Sequence, residues 1–366
     1  MNRLLAVAVK ELRQIARDPL TLAMLLGVPA AMLMLYGYAL NFDVRHVRLA
    51  VQDLDRTAAS RTLVETFLGS TYFERAADLP AGADLPRVTE RRQAQAILVL
   101  PRGFGADLAA GRGAQVQLLL DGSDAGTATT ILGYAQAVVQ TANVRRLGLR
   151  LAPAYEPRIW YNPELESTQF LVPGLVGFIL MLTAVVSTAL SVVRERERGT
   201  LEQLRVTPLS PGTLIVGKTL PYLGISLVAA GLILLTARGL FGVEVRGSHL
   251  ELLLVTLVYL AGALGFGLFV SSIADSQAMA FQIGAISSML PAIFLSGFVF
   301  PIRSMPEPLQ WLTYVVPARY YLVILRGIVL KGAALGDYLR PLAFLTAFAV
   351  VVTGIAWLRL VRQERG

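Results

Sequence analysis

The chain has 366 residues, 55% hydrophobic and only 16% charged, against about 25% charged in a soluble domain, and its mean hydropathy is positive; it reads as an integral membrane protein. The absence of cysteine excludes disulfides, thiolate metal sites and cysteine nucleophiles, and the two histidines, His46 and His249, are too far apart in sequence to suggest a metal cluster. The net charge of +8 comes from arginines beside apolar runs, with no basic tract of five, so nucleic acid is not an expected partner.

Residues 3 to 17 carry a helical period. Leu5, Val9, Leu12 and Ala16 form one stripe, and Lys10, Arg13 and Arg17 recur on another. Such a helix lies in the membrane interface with its cations toward anionic head groups. Asp18 and Pro19 break it. From about Leu20 to Leu40 no residue is charged, enough at 1.5 Å per residue to cross about 30 Å of hydrocarbon. The run is longer than a signal-peptide core and no small-x-small cleavage site follows before Asn41. Arg3, Lys10, Arg13 and Arg17 ahead of it predict a cytoplasmic N-terminus.

Between 41 and about 165 charges return and apolar segments shorten. Residues 47–54, 94–101 and 114–121 read as strands, and 56–69, a short segment from Gly103 and 127–151 as helices. This alternation predicts a small α/β domain, outside the cytoplasm because it follows an inward-anchored span. Asp53, Asp55, Asp121 and Asp124 read as strand-end and turn residues. No catalytic triad, carboxylate pair or metal motif stands out there.

Five more spans are expected, at about 170–193, 214–237, 250–273, 277–300 and 339–358. The predicted architecture is a membrane α-helical protein of six spans with the α/β domain inserted between the first two. Arg359, Arg362 and Arg365 set the tail inside with the N-terminus. Glycines cluster in the fourth span (Gly262, Gly265, Gly267) and small residues recur in the fifth (Gly284, Ser287, Ser288), a pattern that serves either packing within one chain or a dimer interface. No span carries an ionisable residue in its central part, whereas ion-coupled transporters mark their pathway with such groups. The energy source is expected elsewhere.

Between spans five and six, residues 301–338 are apolar yet broken by Pro301, Pro306, Pro308 and Pro317. Two readings fit: half-helices dipping into the outer leaflet, or an amphipathic surface hairpin. Trp311, Tyr314, Tyr320 and Tyr321 suit an interfacial belt.

The longest charged interruption is RERERGTLEQLRVTPLSP, residues 194–211. Thr200 and Gln203 form a capping box, Gly199 turns the chain before it, and Pro208 ends the helix near Val206 or Thr207. Leu201 and Leu204 share one face, Glu202 and Arg205 another. Two turns are too short to be stable alone. The segment is either a plug for a partner's groove or a solvated juxtamembrane loop. Nearby, Gly212 to Thr219 satisfies the phosphate-loop pattern GxxxxGK[ST]. Its intervening residues are bulky and apolar, no strand precedes it and no acidic partner follows on the cytoplasmic side, so it reads as the opening of span three with Lys218 as an interfacial anchor.

Glu195-Arg196-Glu197-x-Gly199-Thr200-x-Glu202-x-Leu204, followed by Thr207-Pro208, resembles the cytoplasmic motif of type-2 ABC export permeases of the multidrug type. KELRQIARDP (Lys10, Glu11, Arg13 and Arg17 among them) resembles that family's N-terminal interface helix. GYALNFDVRH and IWYNPE resemble the borders of its large extracytoplasmic domain. PxRY with the following RG (Pro317, Arg319, Tyr320, Arg326, Gly327) resembles its re-entrant segment. The likeness covers nearly the whole chain and is strongest at 10–55, 157–220 and 296–332.

The resemblance implies an interface helix at 1–18, a first span at 19–40, an extracytoplasmic domain at 41–165, and a five-span domain at 166–366 with a coupling loop at 194–217. It implies a permease subunit of a bacterial inner-membrane exporter with no cofactor of its own. ATP and Mg would sit on a separate ABC ATPase that docks on Glu195, Arg196, Glu197, Gly199, Thr200, Leu201, Glu202, Leu204, Thr207 and Pro208. A second permease chain, and a periplasmic adaptor on the outer domain, are the other implied partners. The uncharged spans point to hydrophobic or amphipathic, drug-like cargo; export of sodium, lipid or polysaccharide, or a membrane-anchored outer-domain receptor, are the alternatives.

Overall fold

The computed structural model describes residues 3–39, 46–91, 93–121, 125–147, 161, 166–199 and 211–365. The chain divides into two compact units, residues 42–158 and residues 1–41 with 159–366.

The smaller unit is an α/β layer structure. Strands β1 (Val47–Asp53), β2 (Phe73–Asp78), β3 (Ala96–Leu100) and β4 (Gln117–Leu120) form one sheet in the order β2-β1-β3-β4, with the first three parallel and β4 antiparallel to β3. Helices α4 (Ala58–Leu68), α5 (Leu85–Glu90), α6 (Phe104–Ala109) and α7 (Ala125–Leu147) alternate with the strands. Val47, Leu49 and Val51 alternate toward a core shared with Val64, Phe67 and Ile131, while Ala50, Ile97 and Val99 face Val88 on the other side. β2 and α5 have no counterpart among the expected elements. β2 is an edge strand of sequence FERAAD in which only Phe73 is buried, so it lacks an apolar alternation to read. α5 is a single capped turn and a half behind Asp84.

Asp53 and Asp55 organise the end of β1. Asp53 accepts from the Arg56 amide at 2.8 Å and the Ser60 hydroxyl at 2.7 Å. Asp55 accepts from the Gly103 amide at 2.8 Å, the Gly105 amide at 2.9 Å and the Thr57 hydroxyl at 2.6 Å. The order β2-β1-β3 puts the topological switch point between β1 and β3, where open α/β sheets take ligands. Here the Asp55 carboxylate already fills the donors at the start of α6.

The larger unit is helical. α1 (Arg3–Arg17) is followed by α2 (Pro19–Leu22), a π-helical turn at Ala23–Gly27 and α3 (Val28–Ala39). The run expected as one span from 20 to 40 is helical without a gap from Pro19 to Ala39, its hydrogen-bond pattern shifting to π over 23–27. The other long helices are α8 (Ser167–Glu197), α9 (Pro211–Phe241), α10 (His249–Ile273), α11 (Gln277–Phe294) and α14 (Leu339–Arg365). Among the described residues five helices are long and apolar enough to cross a membrane, or six if the bent pair α12 (Glu307–Leu312) and α13 (Pro317–Lys331) counts as one. That pair turns by 83° at Val316–Pro317, because Pro317 cannot continue the preceding helix and instead starts a new one at its first position.

α11 ends at Phe294, six residues before the span limit expected at 300. Its interior Pro291 leaves a carbonyl without its usual donor one turn earlier, and Gly297, with φ of 80°, turns the chain away. Near the centre of the unit Tyr259 and Tyr321 stack with ring centroids 4.0 Å apart. Their hydroxyls are satisfied by the Gly177 carbonyl at 2.8 Å and the Thr256 hydroxyl at 3.0 Å, as buried polar groups require. The α10 glycines serve packing within the chain: Gly262 faces Ala349 of α14, and Gly267 faces the Val185 backbone of α8.

Candidate functional site

The two ends of the charged interruption are helical. Residues 194–197 form the last turn of α8, and 211–217 the first turns of α9. The segment expected as a coupling loop over 194–217 is thus helical at 194–197 and 211–217, with Gly199 at φ of 68° closing α8 in the left-handed conformation. Thr200, Leu201, Glu202, Leu204, Thr207 and Pro208 lie outside the described residues, as does the capped helix expected there.

α1 has three faces. Val7, Ala8, Glu11 and Ile15 are buried, and α1 packs chiefly on α9. The stripe of Leu5, Val9, Leu12 and Ala16 turns outward, and Lys10, Arg13 and Arg17 are exposed beside it. The packed face escaped the sequence reading because its residues are less apolar than the outward one, and lipid is as apolar as leucine. α1 and α9 approach so closely that a Cβ at Gly217 would stand 2.9 Å from the Val7 side chain and 3.3 Å from the Leu4 carbonyl. That contact is the reason for a glycine in the phosphate-loop-like run, which lies within one continuous helix.

The approach closes an ion cluster drawn from three helices. Lys218 of α9 donates to Glu195 Oε2 of α8 and lies 3.9 Å from Glu11 Oε1 of α1. Lys10 Nζ lies 3.3 Å from Glu11 Oε1 and 3.4 Å from Glu195 Oε1. Glu11, Glu195 and Lys218 are only 2%, 7% and 5% exposed. Lys218 is thus a buried ion partner and not the interfacial anchor expected, since Glu195 offers its ammonium a better partner than the head-group region. Buried charges are tolerated when paired and hydrogen-bonded, and two carboxylates against two ammoniums balance. Burial alone lowers the Lys10 pKa; the Glu11 and Glu195 carboxylates more than offset this and hold it above its ordinary value.

The remaining charges of the α8 end reach the turn between α10 and α11. Arg196 donates to the Ala274 carbonyl, Arg194 Nε donates to Gln277 Oε1 at 3.3 Å, and Glu197 accepts from the Gln277 amide at 2.8 Å and from its side chain. Glu195, Arg196 and Glu197 therefore bind their own chain and link four helices, α1, α9, α10 and α11, to the end of α8. Gln277 and Ala274 carry no charge and match no motif, so nothing in the residue pattern singles them out.

In the bent segment, the Arg319 guanidinium lies 4.0 Å from the Tyr314 ring centre and donates to Thr313 Oγ1, while the Tyr320 hydroxyl donates to the Tyr314 carbonyl at 2.7 Å. Pro317 opens α13 and is buried. Gly327 leaves room for the Tyr338 ring. Arg326 stacks on Phe170 at 3.7 Å and donates to the carbonyls of Gly297 at 2.9 Å and Phe170 at 3.2 Å. It thereby satisfies irregular backbone beyond the end of α11, the condition under which such backbone persists in a membrane. No cluster of metal-binding side chains occurs among the described residues.

Residues 19–358 match the profile of the ABC-2 family transporter proteins. The chain is 32% identical to the probable multidrug ABC transporter permease YbhS of Escherichia coli K12, over 99% of this chain and 97% of that one. It is 31% identical to the probable multidrug ABC transporter permease YbhR of the same organism, over 99% of both. To the linearmycin resistance permease protein LnrN of Bacillus subtilis it is 22% identical, over 99% of this chain and the whole of that one.

Proposed function

Because the chain belongs to the ABC-2 family of transporter proteins, we propose that it is the permease subunit of an exporter whose ATP hydrolysis occurs on a separate ABC ATPase. The observation that carries this reading is the ion cluster of Lys10, Glu11, Glu195 and Lys218. It ties the end of α8, immediately before the 198–210 segment, to α1 and α9, while Arg196 and Glu197 tie the same end to the α10–α11 turn. A force applied at 200–208 by a docked ATPase reaches four helices through named contacts. In this reading Leu201 and Leu204 meet the ATPase, and Glu195, Arg196 and Glu197 pass its motion inward.

The topology follows the charge rule, with six spans, both termini cytoplasmic and the 41–165 domain on the outer side. Two permease chains pair, and an adaptor docks on the outer domain. The cargo is hydrophobic or amphipathic and drug-like, in keeping with the names of the multidrug and linearmycin permeases, and leaves past the 301–338 segment. Purification of the tagged chain from its native membranes tests the partnership. An ATPase subunit accompanies the wild type and is lost with Leu204→Asp; a chain that exports alone, with no ATPase present, overturns the reading.

A further inference from the structure

An apolar groove of about 510 Å³ runs between α1, the π-helical turn and α9. Leu5, Val9 and Leu12 form one wall, Leu26 closes one end, and Leu220 and Val228 form the other wall. It is shaped by two helix irregularities. In the π turn the Val28 amide bonds back to the Ala23 carbonyl, widening the helix beside Leu26, and Pro221 interrupts the α9 hydrogen-bond ladder on the same groove. Gly224 leaves the floor open, because a Cβ there meets nothing within 4 Å.

An apolar groove alone accepts any hydrophobic molecule; the cations beside this one narrow the choice. Leu5, Val9, Arg13 and Arg17 follow one another at steps of four along α1 and so form one row. The row leads from the groove to two exposed guanidiniums. Neither makes an ion pair with another described residue, unlike Lys10, which the cluster engages. We propose that the groove seats an acyl chain of an anionic phospholipid whose phosphate head group is held by Arg13 and Arg17. The inference depends on the chain lying in a membrane and is independent of the ATPase partnership. A lipid seated here clamps α1 against α9, the contact that closes the ion cluster, so the lipid supports the element on which coupling is proposed to act.

The test is native mass spectrometry of the full-length protein, purified in mild detergent, delipidated, and titrated with phosphatidylglycerol or phosphatidylcholine. The wild type retains phosphatidylglycerol in preference to phosphatidylcholine. In Arg13→Gln with Arg17→Gln that preference falls about twenty-five-fold, taking roughly a factor of five for each arginine beside an anionic head group. Gly224→Phe, at a position where an added Cβ meets nothing within 4 Å, fills the groove and abolishes retention of both lipids. Val228→Trp, at an exposed position, blocks the same space should Gly224→Phe fail to elute as a folded species. Unchanged head-group preference in the double variant, or phosphatidylglycerol retained by both groove-filling variants, overturns the proposal. Loss of a dimer with lipid retained overturns it in favour of a second chain on this face, and displacement of the lipid by amphipathic cargo in favour of a cargo site.

Discussion

Removing single members of the ion cluster should cost far more than removing a matched pair. Lys218→Met leaves Glu11 and Glu195 facing only Lys10, whose side chain is about half exposed, and so strands one buried negative charge. Glu195→Gln leaves Lys218 with Glu11 alone, at 3.9 Å. Breaking a buried pair by removing one partner costs about 3–5 kcal/mol. The double variant removes both charges and keeps the Lys10–Glu11 contact at 3.3 Å, so its cost is much smaller than the sum of the two. A double variant cheaper than either single sets a coupling energy of about 4–7 kcal/mol, within the range measured for close charge pairs. Denaturant unfolding of the purified protein in micelles, followed by tryptophan fluorescence, measures it. Trp357 packs against Gly212 at the start of α9 and reports on this region. Effects of the single variants that add to within about 0.5 kcal/mol would refute the cluster as a unit.

Three further perturbations follow from the geometry. A Cβ at Gly217 would crowd Val7 at 2.9 Å, so Gly217→Val should cost about 1–3 kcal/mol and expose α1 to trypsin at Arg13 and Arg17; unchanged cleavage would show that the helices do not meet there. The Thr57 hydroxyl and the Gly105 and Gly103 amides hold the Asp55 carboxyl below its ordinary value of 3.8. Its contribution to stability is complete above that unfolded-chain value and lost as pH falls through the lower folded one. Hydrogen-exchange protection of α6 should therefore be lost on acidification below that range in the wild type and depend less on pH there in Asp55→Asn; equal pH profiles would count against the contact. Finally, Arg326→Ala removes the donors to the Gly297 and Phe170 carbonyls. Since the chain has no cysteine, a single Ser296→Cys reports cleanly, and its thiol should become more reactive with Arg326→Ala, whereas equal reactivity would separate Arg326 from this backbone.

Long periodic elements were legible from residues alone. The bounds of α1, anticipated as 3–17, follow from a helical period ended by Asp18-Pro19, and β1 and β3 follow from short apolar runs. Edge strand β2 was not legible, because its side chains meet solvent and carry no alternation. The inward face of α1 was not legible either. In a membrane, hydrophobicity separates protein and lipid from water but not protein from lipid, so Leu5 and Leu12 looked more buried than Val7 and Glu11. Lys218, a cation two turns inside an apolar helix, was the available signal. It asks for a buried counter-charge, and the two that answer lie 23 residues away at Glu195 and on α1 at Glu11.

The proposed drive of this permease by an ATPase acts through the 194–217 element. Its most direct measurement is uptake of a fluorescent amphipathic dye into inverted proteoliposomes holding the chain with its ATPase subunit, for the wild type and Leu204→Asp. ATP-dependent uptake is expected in the wild type, none without the ATPase, and loss of uptake in Leu204→Asp with the partner still able to hydrolyse ATP. Equal uptake by Leu204→Asp, or uptake by the chain alone, would contradict it.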